Sequence, residues 1–214
     1  MSELLSKKPL TAVAATGNVN KIYEIDEITK KYGIKIISPL EAGVPSGFTV
    51  VEDGVTFEEN SLKKAQAYMN YTKLAAIADD SGLSVDYLNG APGVHSARYA
   101  NAEGDDQDRM NREKLLDKLK DVPFEQRTGS FVSAITLIFP SGNYLIARGE
   151  IKGHIAFEEM GTRGFGYDSL FIPAGTFKIY SQMTKEEKNE ISHRARALEN
   201  LAQLLEEQGY EKEY

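Results

Sequence analysis

The order of apolar and polar residues sets out a βαβ opening. Residues 10–16 form a short run of small and branched apolar side chains, the pattern of a buried strand. The run stops at Gly17-Asn18. From there the period changes, and Ile22, Ile25 and Ile28 are spaced for one face of a helix over residues 21–32. Gly33 supplies a helix stop, and residues 34–38 read as a second strand. A loop rich in Gly and Pro fills residues 39–54. Thr56-Phe57-Glu58-Glu59 carries a capping-box signature, which predicts a helix to about Asn70. Residues 73–78 then read as a buried strand that delivers Asp79-Asp80 at its C-terminal end.

Residues 105–120 are amphipathic, with acids at the start where the helix dipole favours them. On that reading Asp105, Asp106 and Asp108 only complement a helix start. Pro140-Ser141-Gly142-Asn143 lies between two strand-like segments, residues 127–139 and 144–155, and signals a hairpin. Thr184-Lys185-Glu186-Glu187 is a second capping box, and a long terminal helix carries Leu198, Leu201, Leu204 and Leu205 up to Gly209. Early βαβ elements with a later hairpin predict a mixed sheet in α/β layers. No internal repeat, low-complexity segment or linker interrupts it.

At 214 residues the chain can form one large domain or two small lobes with a real core. Hydrophobic residues make up 41% and charged residues 27%, an ordinary globular balance. No apolar run approaches the ~18 residues of a membrane helix. Residues 1–9 hold Glu3 and two lysines without the apolar core of a secretory signal. The expectation is a cytoplasmic protein with no membrane partner. With no cysteine, any metal must sit on oxygen or histidine. A net charge of −7 argues against nucleic acid as a partner. It also repels a polyphosphate, so such a ligand needs local cations and a divalent metal to reverse the field.

Three segments carry candidate chemistry. In the first, Thr16-Gly17-Asn18-Val19-Asn20-Lys21 joins a strand to a helix. Free N–H groups at a helix start attract anions, Gly17 allows close approach, and Lys21 can reach a phosphate; a simple Asn18 cap uses the same residues. The second, Asp79-Asp80-Ser81-Gly82, sets two carboxylates side by side after an apolar strand. Such a pair favours a cation or a shared proton, although a solvated turn has the same composition. Side-chain alternation sends only one of the pair into a site. Glu52 can complete an oxygen site for Mg²⁺. In the third, the Phe165 ring lies between glycines in Gly164-Phe165-Gly166-Tyr167-Asp168, where it can stack on a base or plug a loop. Ser192-His193-Arg194 offers an imidazole and a guanidinium at a helix start. Lys63 and Lys64 fit a solvated helix face, and His95 and His154 have no metal-ligand spacing.

Together these motifs resemble the inosine triphosphate pyrophosphatase family of noncanonical purine nucleotide hydrolases. The likeness runs from Ala14-Ala15-Thr16-Gly17-Asn18-Val19-Asn20-Lys21 to Ile191-Ser192-His193-Arg194-Ala195-Arg196-Ala197-Leu198. Thr56-Phe57-Glu58-Glu59-Asn60, Ile77-Ala78-Asp79-Asp80-Ser81-Gly82-Leu83, Ala91-Pro92-Gly93 and Ser96-Ala97-Arg98-Tyr99 fall between them in order. The resemblance implies a homodimer of two-lobed α/β subunits, each one domain over residues 1–214, with an elongated mixed sheet and a nucleotide cleft between the lobes. It implies Mg²⁺-dependent hydrolysis of ITP, dITP or XTP to the monophosphate and pyrophosphate. By the same resemblance Asp80 is the catalytic acid and a metal ligand, with Glu52 as the other metal-associated acid. Thr16, Gly17, Asn18, Val19, Asn20 and Lys21 match its phosphate loop. Lys64, Ser81 and Lys188 match further nucleotide contacts, with Lys21, Lys64 and Lys188 neutralising the leaving group. Phe165, Gly166, Tyr167, Asp168, His193 and Arg194 match the base and sugar pocket. The chain departs from the family pattern at Ser169, where proline is usual, and at His95, where an aromatic is common. Rival readings are a pyrophosphatase for modified pyrimidine or methylated nucleotides, and a nucleotide sensor without turnover.

Overall fold

The computed structural model describes residues 10–102 and 104–209. Among the described residues six strands form one mixed sheet in the order β2-β1-β3-β4-β5-β6. β1 (Leu10–Ala14) pairs in parallel with β2 (Ile34–Ile37) and with β3 (Ala75–Val85), through Ala12↔Ile36 and Ala12↔Ala75 among others. β4 (Thr128–Ile138) and β5 (Tyr144–Ile155) flank the expected hairpin turn, where Phe139 N donates to Asn143 O. β6 (Phe171–Pro173) adds antiparallel to β5. Three residues leave no readable period, so the apolar pattern alone does not predict this strand.

The described residues fold into two compact units. The first contains residues 10–80, 133–149 and 194–209; the second contains residues 81–102, 104–132 and 150–193. In the first, strand alternation builds two apolar layers. Ala12, Ala14, Ala75, Ile77, Ile135 and Leu137 pack with Ile25 of α1 (Val19–Thr29) and with Leu198, Leu201 and Leu205 of the C-terminal helix. Val13, Ala76, Ala78 and Ile138 pack instead with Ala65, Tyr68 and Met69 of α2 (Phe57–Thr72). This sheet is buried on both faces, so its strands read as continuous apolar runs. In the second unit Leu83, Val85, Phe131 and Ile151 pack with Leu115 and Leu119 of α3 (Gln107–Leu119) and with Tyr167, Leu170 and Tyr180.

The predicted caps are present, with changes in detail. The Thr56 side chain accepts from Glu59 N, but Glu59 reaches back to Val55 N, one residue before the expected box partner. The Thr184 box closes in both directions and opens α4 (Lys185–Ile191). The long terminal helix is two pieces, because Ser192 is extended (ψ 156°) and α5 (His193–Glu207) starts afresh after it. The expected helix ends as α1 at Thr29 and continues as a 3-10 turn, Lys30–Tyr32, which Gly33 closes in the left-handed region at φ 67°. α1 begins at Val19, two residues before Lys21.

Candidate functional site

The largest departure from the sequence reading concerns the paired acids. β3 does not end at Asp79; it continues through Asp79-Asp80-Ser81-Gly82 to Val85. Neither aspartate is in a solvated turn: Asp79 is 1% exposed and Asp80 8%. Alternation explains their separate neighbours. Asp79 continues the Ala75, Ile77 series towards α1 and α5, and Asp80 continues the Ala76, Ala78 series towards α2.

On the first side, Asp79 Oδ2 receives Lys21 Nζ at 2.7 Å and Arg194 Nη2 at 3.1 Å. Its other oxygen accepts from Ser133 Oγ at 2.6 Å. Arg194 also donates to Glu24, one turn along α1 from Lys21. Burial favours a neutral Asp79, but Arg194 and Lys21 override it and hold the carboxyl well below its usual range. Burial depresses Lys21 despite its bond to Asp79. Burial opposes the Arg194 charge, yet Asp79 and Glu24 hold its pKa above the usual value.

On the other side, Asn60 and Lys64 stand one turn apart on α2 and both reach Asp80. Asn60 Nδ2 donates to Oδ2 at 3.2 Å and Lys64 Nζ to Oδ1 at 2.9 Å. The same ammonium lies 3.0 Å from Glu52 Oε2 and 3.1 Å from the Asp79 carbonyl oxygen. Lys64 is therefore part of a half-buried cluster, not the solvated helix face that its position next to Lys63 suggests. Burial, helped by the Glu52 charge, raises the Asp80 pKa against the pull of Lys64 and Asn60. Asn60 Oδ1 accepts from Gly54 N at 2.8 Å, which ties the 39–54 loop to the aspartate. Three oxygens around one cation form a donor set suited to a hard metal. Among the described residues no group of three acids or histidines forms a metal site. Mg²⁺ commonly uses one or two carboxylates plus phosphate oxygens, and Glu52 with Asp80 fits that pattern.

The start of α1 is capped by Asn18, whose Oδ1 accepts from Lys21 N at 3.3 Å. Asn18 N in turn donates to Thr16 Oγ1 at 3.1 Å. Nothing lies within 4 Å of the position a Gly17 Cβ would take, so the backbone there is approachable. Val19 is 76% exposed. Asn20 is in α1, but its side chain lies outside the described residues.

In the second unit, the predicted aromatic turn is organised around the buried Asp168. Its Oδ2 accepts from Phe165 N at 3.0 Å and from Lys188 Nζ at 2.7 Å. Lys188 Nζ also sits 5.2 Å from the ring centres of Phe165 and Tyr180. Phe165 is 38% exposed, so it is not the buried plug of a loop. Gly164 adopts φ 82°, and a Cβ there would come within 2.0 Å of Asp168 Oδ2. Tyr167 is buried and donates its hydroxyl to Ser96 O at 2.9 Å. A hollow of about 150 Å³ is lined by Phe165, Asp168, Arg112 and Arg163.

A profile described as the Ham1 family matches residues 12–204. The chain belongs to the Ham1 family. A relative from Clostridium perfringens named dITP/XTP pyrophosphatase is 45% identical, over 90% of this chain and 96% of its own length. A Bacillus subtilis protein of the same name is 44% identical, over 91% and 96%. Among solved structures, a HAM1 protein from Coxiella burnetii superposes with a TM-score of 0.82 at 39% identity, covering 92% of this chain and 99% of that one.

Within this Ham1 family chain the structure redistributes several expected contacts. Lys188, grouped from the sequence with Lys21 and Lys64 as a phosphate neutraliser, bonds Asp168 beside the Phe165 ring. Arg194, expected to donate to a base, is 2% exposed and turned onto Asp79 and Glu24. His193 is 5% exposed and stacks on Phe131 with ring centres 4.8 Å apart. Ser81 is half-buried within β3. Ser169, in the usual proline position, bonds Glu159 through its hydroxyl, and His95 is exposed. Asp105 and Asp106 precede α3; Asp106 makes no side-chain cap and pairs with Arg109. Glu24 and Ser133 join the site without having stood out in the sequence, and Asn60 joins it after appearing there only as the last residue of the Thr56–Asn60 motif. Asn60 carries a usable signal, four residues before Lys64 on a capped helix, whereas Ser133 becomes relevant only when β4 pairs beside β3.

Proposed function

We propose that this chain is a magnesium-dependent nucleoside triphosphate pyrophosphatase that converts noncanonical purine nucleotides such as ITP, dITP and XTP to the monophosphate and pyrophosphate. The observation that carries the reading is the convergence of Asp80, Glu52 and the Asp79 carbonyl on the Lys64 ammonium. A buried carboxylate with a raised pKa, held by a lysine and an amide, is a stronger base than an exposed one and is oriented to take a proton from water. The name shared by the relatives, dITP/XTP pyrophosphatase, supports the substrate class.

In this mechanism water adds to the α-phosphorus and gives its proton to Asp80 as the bond to the bridging oxygen breaks. Lys64 and Lys21 offset the negative charge on the departing pyrophosphate. Asn60 keeps the Asp80 carboxylate oriented, and Asp79 holds Lys21. Glu52 and Asp80 would hold Mg²⁺, which would neutralise phosphate oxygens and acidify water. In the second unit, Phe165 offers a face for a purine and Lys188 a donor for its 6-keto oxygen. Adenine presents an amino donor at that position and would leave the ammonium unmatched, a mismatch that a polar site can reject ~10⁴-fold. The homodimer rests on the family resemblance.

The test incubates the protein and Mg²⁺ with ITP, XTP, dITP, ATP and GTP. Pyrophosphate should appear from the first three and little from the last two, ATP being turned away at the 6-position and GTP, which shares the 6-keto oxygen, at its 2-amino group. Asp80→Asn should lower kcat by about 10²–10⁴-fold, and chelation should abolish turnover until Mg²⁺ is restored. Orthophosphate as the first product would contradict the cleavage assigned here, and turnover of methylated or pyrimidine nucleotides alone would favour the rival substrate class.

A further inference from the structure

The Phe165 turn does not hold its shape through Asp168 alone; α3 grips it from outside. Asp108 and Arg112, one turn apart on that helix, take hold of the two polar ends of a single residue. Gly166 N donates to Asp108 Oδ2 at 2.8 Å, and Gly166 O accepts from Arg112 Nη1 at 3.0 Å. Arg112 is itself braced, with its Nε 2.8 Å from Glu159 Oε2, and the same oxygen accepts from Ser169 Oγ at 3.1 Å. α3 is in turn anchored by the buried Asn111, which accepts from Ala100 N at 2.7 Å and donates to Ala97 O at 2.9 Å. Asp108 is thus more than a helix-start acid, and nothing near it along the chain announces a partner 58 residues away.

We propose that Asp108 and Arg112 are positioning residues for base recognition: they fix the Gly166 peptide, and through it the aim of the Phe165 ring and of the Asp168–Lys188 pair. Gly166 is at φ 59° and nothing crowds the place of a Cβ, so neither sterics nor packing pins this residue. Backbone freedom at a glycine is large, and two charge-assisted bonds at opposite ends of one residue remove it. Arg112 also lines the hollow beside Phe165. The inference rests on the reading of Phe165 and Lys188 as the base-recognising groups.

The test is steady-state kinetics on ITP and XTP with Asp108→Ala, Arg112→Met, the conservative Asp108→Asn and Arg112→Lys, and Phe165→Ala, alone and combined with Asp108→Ala. A loosened turn weakens binding before chemistry, so KM should rise about tenfold for Asp108→Ala and Arg112→Met while kcat changes less than about threefold. Asp108→Asn keeps an acceptor oxygen and should recover most of the loss, and Arg112→Lys part of it. In the combined variant the KM effects should not multiply, because the clamp acts through the ring. If Phe165→Ala raises KM but the α3 variants do not, or if the effects multiply, the clamp is overturned. If Phe165→Ala itself leaves KM unchanged, the base-recognition reading fails instead. An α3 variant that loses its thermal transition together with its activity, with no recovery in the conservative partner, counts against the proposal and for a purely structural role.

Discussion

At the residue scale, what decides the chemistry is the one-residue offset between Asp79 and Asp80. Both are buried and charged neighbours, yet alternation gives Asp79 two cations and a hydroxyl, and gives Asp80 one cation and an amide. Asp79 therefore ionises easily and Asp80 reluctantly. The pair is visible in the sequence; the division of labour is not, because it depends on which helix covers which face. Asp79→Asn should remove the buried carboxylate that Lys21 and Arg194 share, a loss of about 3–5 kcal/mol for a broken buried pair. The pH dependence has a definite sign. The folded pKa of Asp79 lies below its unfolded value near 3.8, so between the two the unfolded state binds more protons. Stability from this group is present above the unfolded pKa and is lost as pH falls through the folded one. Urea titrations in metal-free buffer at pH 7 and pH 3 should show the wild type losing more stability than Asp79→Asn over that interval. Equal losses in both proteins would show that Asp79 is not the group responsible.

Elements are legible where a local rule decides them. The caps at Thr56 and Thr184, the Gly33 stop and the hairpin at Ser141-Gly142 depend on neighbours a few residues away, and each can be read from the chain. β3 runs further than its apolar pattern indicates because two aspartates look like the end of a strand. Their burial is made tolerable by Lys21, Arg194 and Lys64, residues distant in sequence. β6 escapes a local reading because three residues gain strand geometry only by pairing with β5. The Thr56 cap can be tested directly. Thr56→Ala removes the acceptor for Glu59 N at the start of α2 and should cost about 1 kcal/mol, while Thr56→Ser should be nearly neutral. Chemical denaturation would measure both, and equal stability of the two variants would show that the cap contributes nothing.

At the scale of the molecule, chain order and structural grouping diverge. The first unit is assembled from three separated stretches, and more than half of its larger apolar cluster comes from the two later ones. Leu198, Leu201 and Leu205 of α5 are each 1% exposed within that cluster. Cutting a buried leucine back to alanine costs about 2–5 kcal/mol, so removing all three together is comparable to the roughly 5–15 kcal/mol by which a domain is stable. α5 also carries Arg194, and without it Asp79 loses its guanidinium. A chain ending at Ser192 should therefore show no cooperative thermal transition, although it keeps β1 to β6 and both acids. Leu201→Ala in the full chain should keep a cooperative transition at a lower midpoint. Calorimetry on the two proteins separates the cases. A truncated chain that still melts cooperatively would mean that the first unit completes its core without its last segment, and that the buried Asp79 tolerates the loss of Arg194.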